Sequence, residues 1–505
     1  MGRTIIRQPE RLVVIDLDGL RRDVFQAALE GGELSQIERI VGGRESMSAQ
    51  HVDALSTAPS ITFAAQASIF TGQHPGEHRV AGNETFDRLG QISGGHPRHF
   101  GFDVGDTLAV DDAVLVFSHG LASHFLSDEA PTLYEQAAEQ GRTATVVYHM
   151  YARGAETWLP PRIVDIARFT KGGDVLGMEA TDYDERMLGR LIEHLDSGAR
   201  PDVLTAYFMG LDHHSHMHGP ATQPAYLRQA VDPQVGRLLD ALQRHGLLDT
   251  TLFVLVSDHG QIEVVPDDLH SIRLGFPFDR ELAHVFSALG LDVHDVPGED
   301  PNCDAVVGLN GGLAHVYLQH RAARWADAPR TVQDILPVAD AFCQMTTRGA
   351  YEDELQGSLE LILVRDAENE GWHGPYRAYV GQGRTQPLAD TLVEHPELNY
   401  RDAVNRLQLA SGPTTGDLIL VANGREGFYF GKPTVGVHGG LLPGESEAVL
   451  TFAYPGASDD EVRWMRETAS GIVSDRCANE GDREPSVADM TPVALALIGP
   501  AERES

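Results

Sequence analysis

Short, largely apolar runs recur beside helical patterns along this chain: LVVIDLDG (12–19), ATVVYHM (144–150), VLTAYFMG (203–210) and LFVLVSD (252–258). Runs this short are too brief for a helix and lack the alternation of a half-solvated strand, which leaves strands buried on both faces. Buried strands interleaved with helices predict an α/β fold with a mostly parallel central sheet and helices on both faces. Helix signals fall between and after the runs. One lies near 64–71, and a second near 131–140, where PTLYEQAAEQG has Pro close to its start and Gly at its end. A third spans about 223–245, with Tyr226, Val231, Val235, Leu238, Leu239 and Leu242 at helical spacing, and VADMTPVALALIG (487–499) reads as a closing helix.

The chain has 505 residues, enough for roughly three domain-sized units or one large α/β domain carrying an insertion. The second organisation is the expectation. Residues 1–261 read as the first part of a core, with a loop excursion at about 84–128. Residues 262–412, with strands AHVYL (314–318) and LELILVR (359–365), read as an inserted cap region. DLILVANG (417–424) reads as a return to the core sheet, so 413–505 is taken as its closing part. The 39 Lys and Arg against 74 Asp and Glu leave a formal charge of −35, which repels nucleic-acid phosphates and anionic membranes. Cys303, Cys343 and Cys477 are odd in number and far apart, which indicates neither a disulfide framework nor a cysteine metal site. No apolar stretch is long enough to span a membrane, and the first residues lack a secretory pattern, so a cytoplasmic location is expected.

Several runs end on residues that are expensive to bury without a partner. LVVIDLDG delivers Asp18 ahead of Gly19, at the strand end where α/β folds assemble sites; Asp16, two residues earlier, is its rival. VLVSDHGQ (254–261) delivers Asp258 and His259 together. In GLDHHSHMHGP (210–220), Asp212 and His216 are four apart, so on a helical turn they face the same way and can grip one cation. His213, His214 and His218 are decoys or supporting groups in the same stretch. GVHGGLLPG (436–444) sets His438 in a glycine-rich turn, with His373 and His119, each also followed by Gly, as competitors. PSITFAAQASIFTG (59–72) places Thr62 ahead of a small-residue helix, with Ser60 a weaker candidate. A hydroxyl there is ordinarily an N-cap, yet the positive end of a helix also favours an alkoxide or a phosphoryl oxygen. Asp18, Asp258 and His259 with Thr62 can make one site, and Asp212, His216 and His438 another. Three carboxylates and three imidazoles without cysteine suit two divalent, zinc-like ions with open coordination positions.

The order LDG, TF…TG, D-x3-H-x2-GP, SDHG and HGG resembles the alkaline phosphatase superfamily, and within it the nucleotide pyrophosphatase/phosphodiesterase branch, the type I phosphodiesterases. The resemblance runs from residue 12 to the closing helix, outside 84–128 and much of 262–412. It implies an alkaline-phosphatase-like fold and a phosphodiesterase or nucleotide pyrophosphatase working through a phosphothreonine. Thr62 would be the nucleophile, with Asp18, Asp258 and His259 on the metal beside it and Asp212, His216 and His438 on the other. Zinc is the expected metal and manganese the alternative. Asn83, in HRVAGN, and Phe63 would contact substrate, a small phosphate ester of nucleotide-like or phosphonate type. Phosphomonoester and phosphonate hydrolysis are the alternatives within the superfamily. A noncatalytic metal- or phosphate-binding protein is the alternative outside it, and the retained Thr62 argues against that. Ala64 and Ala65 stand where relatives commonly carry Pro-Asn, and Ser215 where they carry Gly, departures that bear on substrate preference more than on metal binding.

Overall fold

The computed structural model describes residues 6–42, 48–92, 94–102, 121–162, 164–165, 178–274, 281–294, 298–299 and 302–501. Among them, two seven-stranded sheets carry the architecture. In chain order their strands are β1 (Arg11–Leu17), β2 (Ala49–Leu55), β3 (Ala144–Val147), β4 (Thr157–Leu159), β5 (Val203–Phe208), β6 (Thr251–Val256) and β7 (Val293–His294), followed by β8 (Ala305–Asn310), β9 (Leu313–Leu318), β10 (Leu359–Arg365), β11 (Tyr376–Tyr379), β12 (Thr385–Pro387), β13 (Leu418–Ala422) and β14 (Glu447–Ala453).

The central sheet runs β2-β14-β6-β1-β5-β3-β4. From β6 to β4 every pairing is parallel, and only β14 runs antiparallel to its neighbours β2 and β6. β1, β5 and β6 are buried along almost their whole length, which is why they read as continuous apolar runs. Helices cover both faces: Thr62–Thr71, Leu133–Glu139 and Met490–Ile498 pack together, as do Ala180–Asp196 and Asp232–Arg244. The expected helix at 223–245 forms, with a widened turn at Leu227–Val231 before Asp232–Arg244. Thr62–Thr71 is buried on every side from Phe63 onward, which its small residues Ala64, Ala65, Ala67 and Ser68 permit. None of the described helices is long and apolar enough to cross a membrane.

The second sheet runs β7-β8-β9-β13-β10-β11-β12 and is antiparallel apart from β7 with β8. It corrects one expectation. The run at 417–424 does not rejoin the core sheet; it forms β13, between β9 and β10. Leu418, Leu420 and Ala422 face a cluster with Phe286, Val338 and Phe342, while Ile419 and Val421 face Tyr376, Leu388 and Leu407. A strand covered on both faces is apolar throughout, whichever sheet it joins. The core strand that closes the central sheet is β14. Within the expected excursion at 84–128, Glu84–Asp87 pairs antiparallel with Arg98–Gly101, Leu121–Phe125 forms a short helical turn, and 103–120 lies outside the described residues.

The turn between β8 and β9 reaches the core. Gly312 N–H donates to His438 O at 2.9 Å. Asn310 brackets Glu84, its Oδ1 accepting from Glu84 N and its Nδ2 donating to Glu84 O, each at 3.1 Å. The Asn310 amide packs where a Cβ on Gly82 would stand, so a larger residue before Asn83 would have to displace that amide.

Candidate active site

β6, β1 and β5 are adjacent and parallel, so their carboxyl ends open side by side. Asp18 leaves β1, its N–H held by Phe208 O at 3.0 Å, and Gly19 N–H donates to Asp258 Oδ1 at 3.1 Å. Helix Gly210–His218 follows β5 and carries Asp212 and His216 on one face, with His216 Nε2 3.3 Å from Asp212 Oδ2. Asp258 and His259 follow β6. His438 arrives on the short strand Gly436–Val437, which pairs with Ile262–Glu263 just beyond His259. Two groups of three result, Asp18 with Asp258 and His259, and Asp212 with His259 and His438, each with its ligand atoms within 4.8 Å of one another. His259 belongs to both; its ring stacks on His438 with centroids 3.7 Å apart. His216 adjoins the second group, its Nε2 3.1 Å from His438 Nε2.

The backbone dictates which nitrogen each ring presents. A carbonyl only accepts, so His216 Nδ1–H donates to Gly436 O (2.7 Å), His259 Nδ1–H to Gly260 O (3.0 Å) and His438 Nδ1–H to Ser60 O (3.2 Å). All three rings therefore turn Nε2 toward the cluster, and in the neutral ring that atom carries the lone pair. This is how a metal-binding imidazole is usually held.

The carboxylates lack an ordinary counter-charge. Among the described residues, no Lys or Arg forms an ion pair with Asp18, Asp212 or Asp258; their nearest basic neighbours are the imidazoles of His216, His259 and His438. Burial pushes the Asp18 carboxyl well above the usual range, with Asp258 and Asp212 adding to the rise. Burial also raises Asp258, with His259 acting against it. Burial would raise Asp212 too, but His216, His438 and His259 together hold it below its ordinary value. Asp18 Oδ1 and Asp258 Oδ2 are buried and accept no hydrogen bond, and they lie 3.6 and 3.4 Å from His259 Nε2. Buried carboxylate oxygens without donors, facing imidazole lone pairs, fit divalent cations.

Thr62 is the first residue of its helix, one position inside the N-cap Ile61, and its Oγ1 lies 3.1 Å from His259 Nε2. The rival hydroxyl, Ser60 Oγ, is 3.0 Å from Gly440 O. Asn83 Oδ1 accepts from Phe63 N–H at 3.1 Å. The Phe63 ring, expected at the substrate, packs on Phe102 at 5.0 Å between centroids and is only 5% exposed, so it belongs to the core. Asp16 stays outside the cluster: its Oδ1 accepts from Gln66 Nε2 at 3.2 Å, and His149 Nε2 lies 3.7 Å from its Oδ2. His214 packs at a tilt against both His218 and Tyr226, His373 donates to Ser411 O, and neither joins the cluster, nor does His213. His119 lies outside the described residues.

Residues 12–439 match the family model described as type I phosphodiesterase / nucleotide pyrophosphatase. The chain belongs to the type I phosphodiesterase / nucleotide pyrophosphatase family. Among solved structures, this phosphodiesterase-family chain is similar to human ectonucleotide pyrophosphatase/phosphodiesterase 5, with TM-score 0.53 and 14% identity over 97% of this chain and 94% of that one. It is equally similar to the murine protein, solved as an inactive Thr-to-Ala variant in complex with AMP, with TM-score 0.53 and 14% identity over 97% and 95%. At that identity the likeness concerns the fold. Among curated proteins it is 30% identical over 172 residues to GPI ethanolamine phosphate transferase 2 of Yarrowia lipolytica, covering 33% of this chain and 18% of that protein. It is 24% identical over 259 residues to an uncharacterized pyrophosphatase/phosphodiesterase of Schizosaccharomyces pombe, covering 49% and 44%. The chain thus aligns with less than half the length of these curated relatives.

Two supporting groups in this phosphodiesterase-family site escape sequence reading. Tyr207 OH donates to Asp18 Oδ2 from inside β5, and Gln261 Nε2 donates to Asp212 Oδ1 and, at 3.2 Å, to its carbonyl. Gln261 closes the VLVSDHGQ motif, three residues after Asp258, and that position is the one signal for it.

Proposed function

We propose that the chain is a two-metal hydrolase of phosphoric diesters, acting on small nucleotide-like substrates through a phosphothreonine at Thr62. One observation carries the reading: the hydroxyl of the first helical residue, Thr62, lies 3.1 Å from His259 Nε2, beside six metal-type side chains. Asp18, Asp258 and His259 would hold one ion and Asp212, His216 and His438 the other, zinc being the first candidate and manganese the second. Such ions, when bound, neutralise charge on the transferring phosphoryl group and on the attacking and leaving oxygens. They also let an anionic ester approach a chain of charge −35.

The chain's own part is positioning. Thr62 Oγ1 attacks phosphorus and gives up its proton to solvent, and the bond from phosphorus to the ester oxygen breaks, its electron pair leaving with that oxygen, which takes up a proton from solvent. Water then cleaves the phosphothreonine, restoring the hydroxyl and releasing a monoester. The positive end of helix Thr62–Thr71 faces the same charge. Asn83 spends its Oδ1 on Phe63 N–H, which leaves its Nδ2 to donate to a phosphoryl oxygen. The AMP complex and the inactive threonine variant of the murine relative support the nucleotide-like substrate and the threonine role.

A chromogenic panel of bis-aryl phosphate, aryl phosphate, aryl phosphonate and a thymidine phosphodiester, with zinc or manganese, tests the reading. The diesters should be hydrolysed fastest, chelation should abolish turnover, and Thr62→Ala should remove it. A preference for the monoester or phosphonate, or turnover surviving Thr62→Ala, would overturn it.

A further inference from the structure

Arg406 lies on helix Ala403–Ala410, beyond the central sheet, and is only 6% exposed. Among the described residues no carboxylate lies within ion-pair distance of it; its guanidinium is met by neutral oxygens of the loop that leads to Thr62. Nε donates to Ser56 O at 3.0 Å, and Nη2 to Thr57 O at 2.7 Å and to Ser60 Oγ at 2.8 Å. Glu445, Asp402 and Glu484 act on it only from beyond contact distance, and a buried cation without a directly paired anion is a costly way to join two parts of a chain, so its contacts call for a reason beyond packing.

Ser60 supplies one. Its Oγ accepts from Arg406 and donates on to Gly440 O at 3.0 Å, and its carbonyl accepts His438 Nδ1–H at 3.2 Å. Glu445 Oε2 holds the same turn by accepting Gly440 N–H at 2.8 Å. Two residues after Ser60 comes Thr62. One guanidinium therefore sets the carbonyl that orients the His438 ring and the loop that delivers the nucleophile. A planar fork with several fixed donors can hold three acceptors at once, and an ammonium on a flexible stem cannot.

We propose that Arg406 is a positioning residue, which through Ser60 aligns His438 for its metal ion and Thr62 for attack. The catalytic half of this inference rests on the phosphodiesterase reading, and the metal half does not. The test uses the full chain with Arg406→Lys, Arg406→Ala and Ser60→Ala. It measures thermal melting, zinc affinity by competition with a chelator, and kcat and KM on the bis-aryl phosphate. Arg406→Lys should melt cooperatively, bind one of two zinc ions about tenfold more weakly, and lose about tenfold in kcat with KM changed less than about threefold. Guanidinium added to Arg406→Ala should restore part of kcat, and Ser60→Ala should show a smaller loss of the same kind. Wild-type zinc affinities and kcat in Arg406→Lys and Ser60→Ala would overturn the proposal. If the arginine variants fail to fold, Ser60→Ala decides alone. If the unaltered chain hydrolyses no ester of the panel, the phosphodiesterase reading falls, and the zinc affinities still decide the role of Arg406.

Discussion

His216 Nε2 and His438 Nε2 stand 3.1 Å apart, while both rings donate Nδ1–H to backbone carbonyls. Two lone pairs then face one point, an arrangement that repels itself unless a cation lies between. Metal binding to the native state should therefore stabilise it, by about 2.7 kcal/mol when the free ion stands at a hundred times its Kd. Calorimetric melting should rise by several degrees on adding zinc and fall on adding chelator. A melting temperature indifferent to both would contradict the assignment of these rings.

Thr62 is separable from the ligands. It stands one residue inside the N-cap Ile61 and its hydroxyl pairs with His259 Nε2, so Thr62→Ala leaves the helix cap untouched. The variant should melt within about 1 kcal/mol of the parent and keep its zinc content. Turnover should drop by about three orders of magnitude or more, as when a nucleophile is deleted. Acid quenching of the parent with labelled substrate should leave phosphate on Thr62, which peptide mapping detects.

Tyr207 is the buried donor to Asp18. Tyr207→Phe keeps the ring and removes that hydrogen bond. Groups that orient metal ligands in this way are typically worth about 10- to 100-fold in affinity, so zinc titration should show a loss of that size at one ion only. An unchanged titration would mean that Asp18 needs no such support.

Much of the site is legible in the sequence because its ligands terminate strands. A parallel strand buried on both faces must be apolar, so Asp18, Asp258 and His259 stand out at the exits of β1 and β6, and the i, i+4 spacing marks Asp212 and His216. The illegible parts have physical reasons of their own. β2 alternates buried Val52 with polar Gln50, His51 and Asp53 and does not read as part of a buried sheet. β13 reads as core because both its faces are covered, which says nothing about which sheet it joins. Tyr207 fits an apolar run without its hydroxyl being needed, and Arg406 resembles any helical arginine until its partners some 350 residues away are in place.

Gly19 has φ +69°, and a Cβ there would stand 2.6 Å from Asp212 Oδ1. Gly19→Ala should therefore destabilise the fold by about 1–3 kcal/mol through backbone strain and displace the Asp212 carboxylate as well. Denaturant unfolding and zinc titration should move together, whereas a variant with parental zinc affinity would show that the Asp212 carboxylate does not depend on that gap.

Three buried histidines outside the cluster are wired the opposite way. His78, His149 and His315 accept backbone N–H at Nδ1, from Val80, Tyr151 and Gly416 at 3.2, 3.1 and 3.3 Å. Each Nε2–H is spent on Ser68 Oγ, Gln66 Oε1 or Ala81 O. Burial pushes His78 and His149 down to about 3 and His315 to about 4. The unfolded chain takes up these protons below about pH 6.5, so their share of stability is complete above that value and is lost as pH falls toward 4. The slope is up to about 1.4 kcal/mol per pH unit for each ring. The ring proton resonances of these three histidines should stay unshifted between pH 7 and pH 5, and a titration there would contradict the neutral wiring.

The most direct test of the two-ion centre is anomalous diffraction at the zinc edge from crystals grown with zinc. Two peaks are expected, one among Asp18, Asp258 and His259 and one among Asp212, His216 and His438, both beside Thr62. A map with no peak in this cluster, or with its zinc bound elsewhere on the chain, would contradict the account.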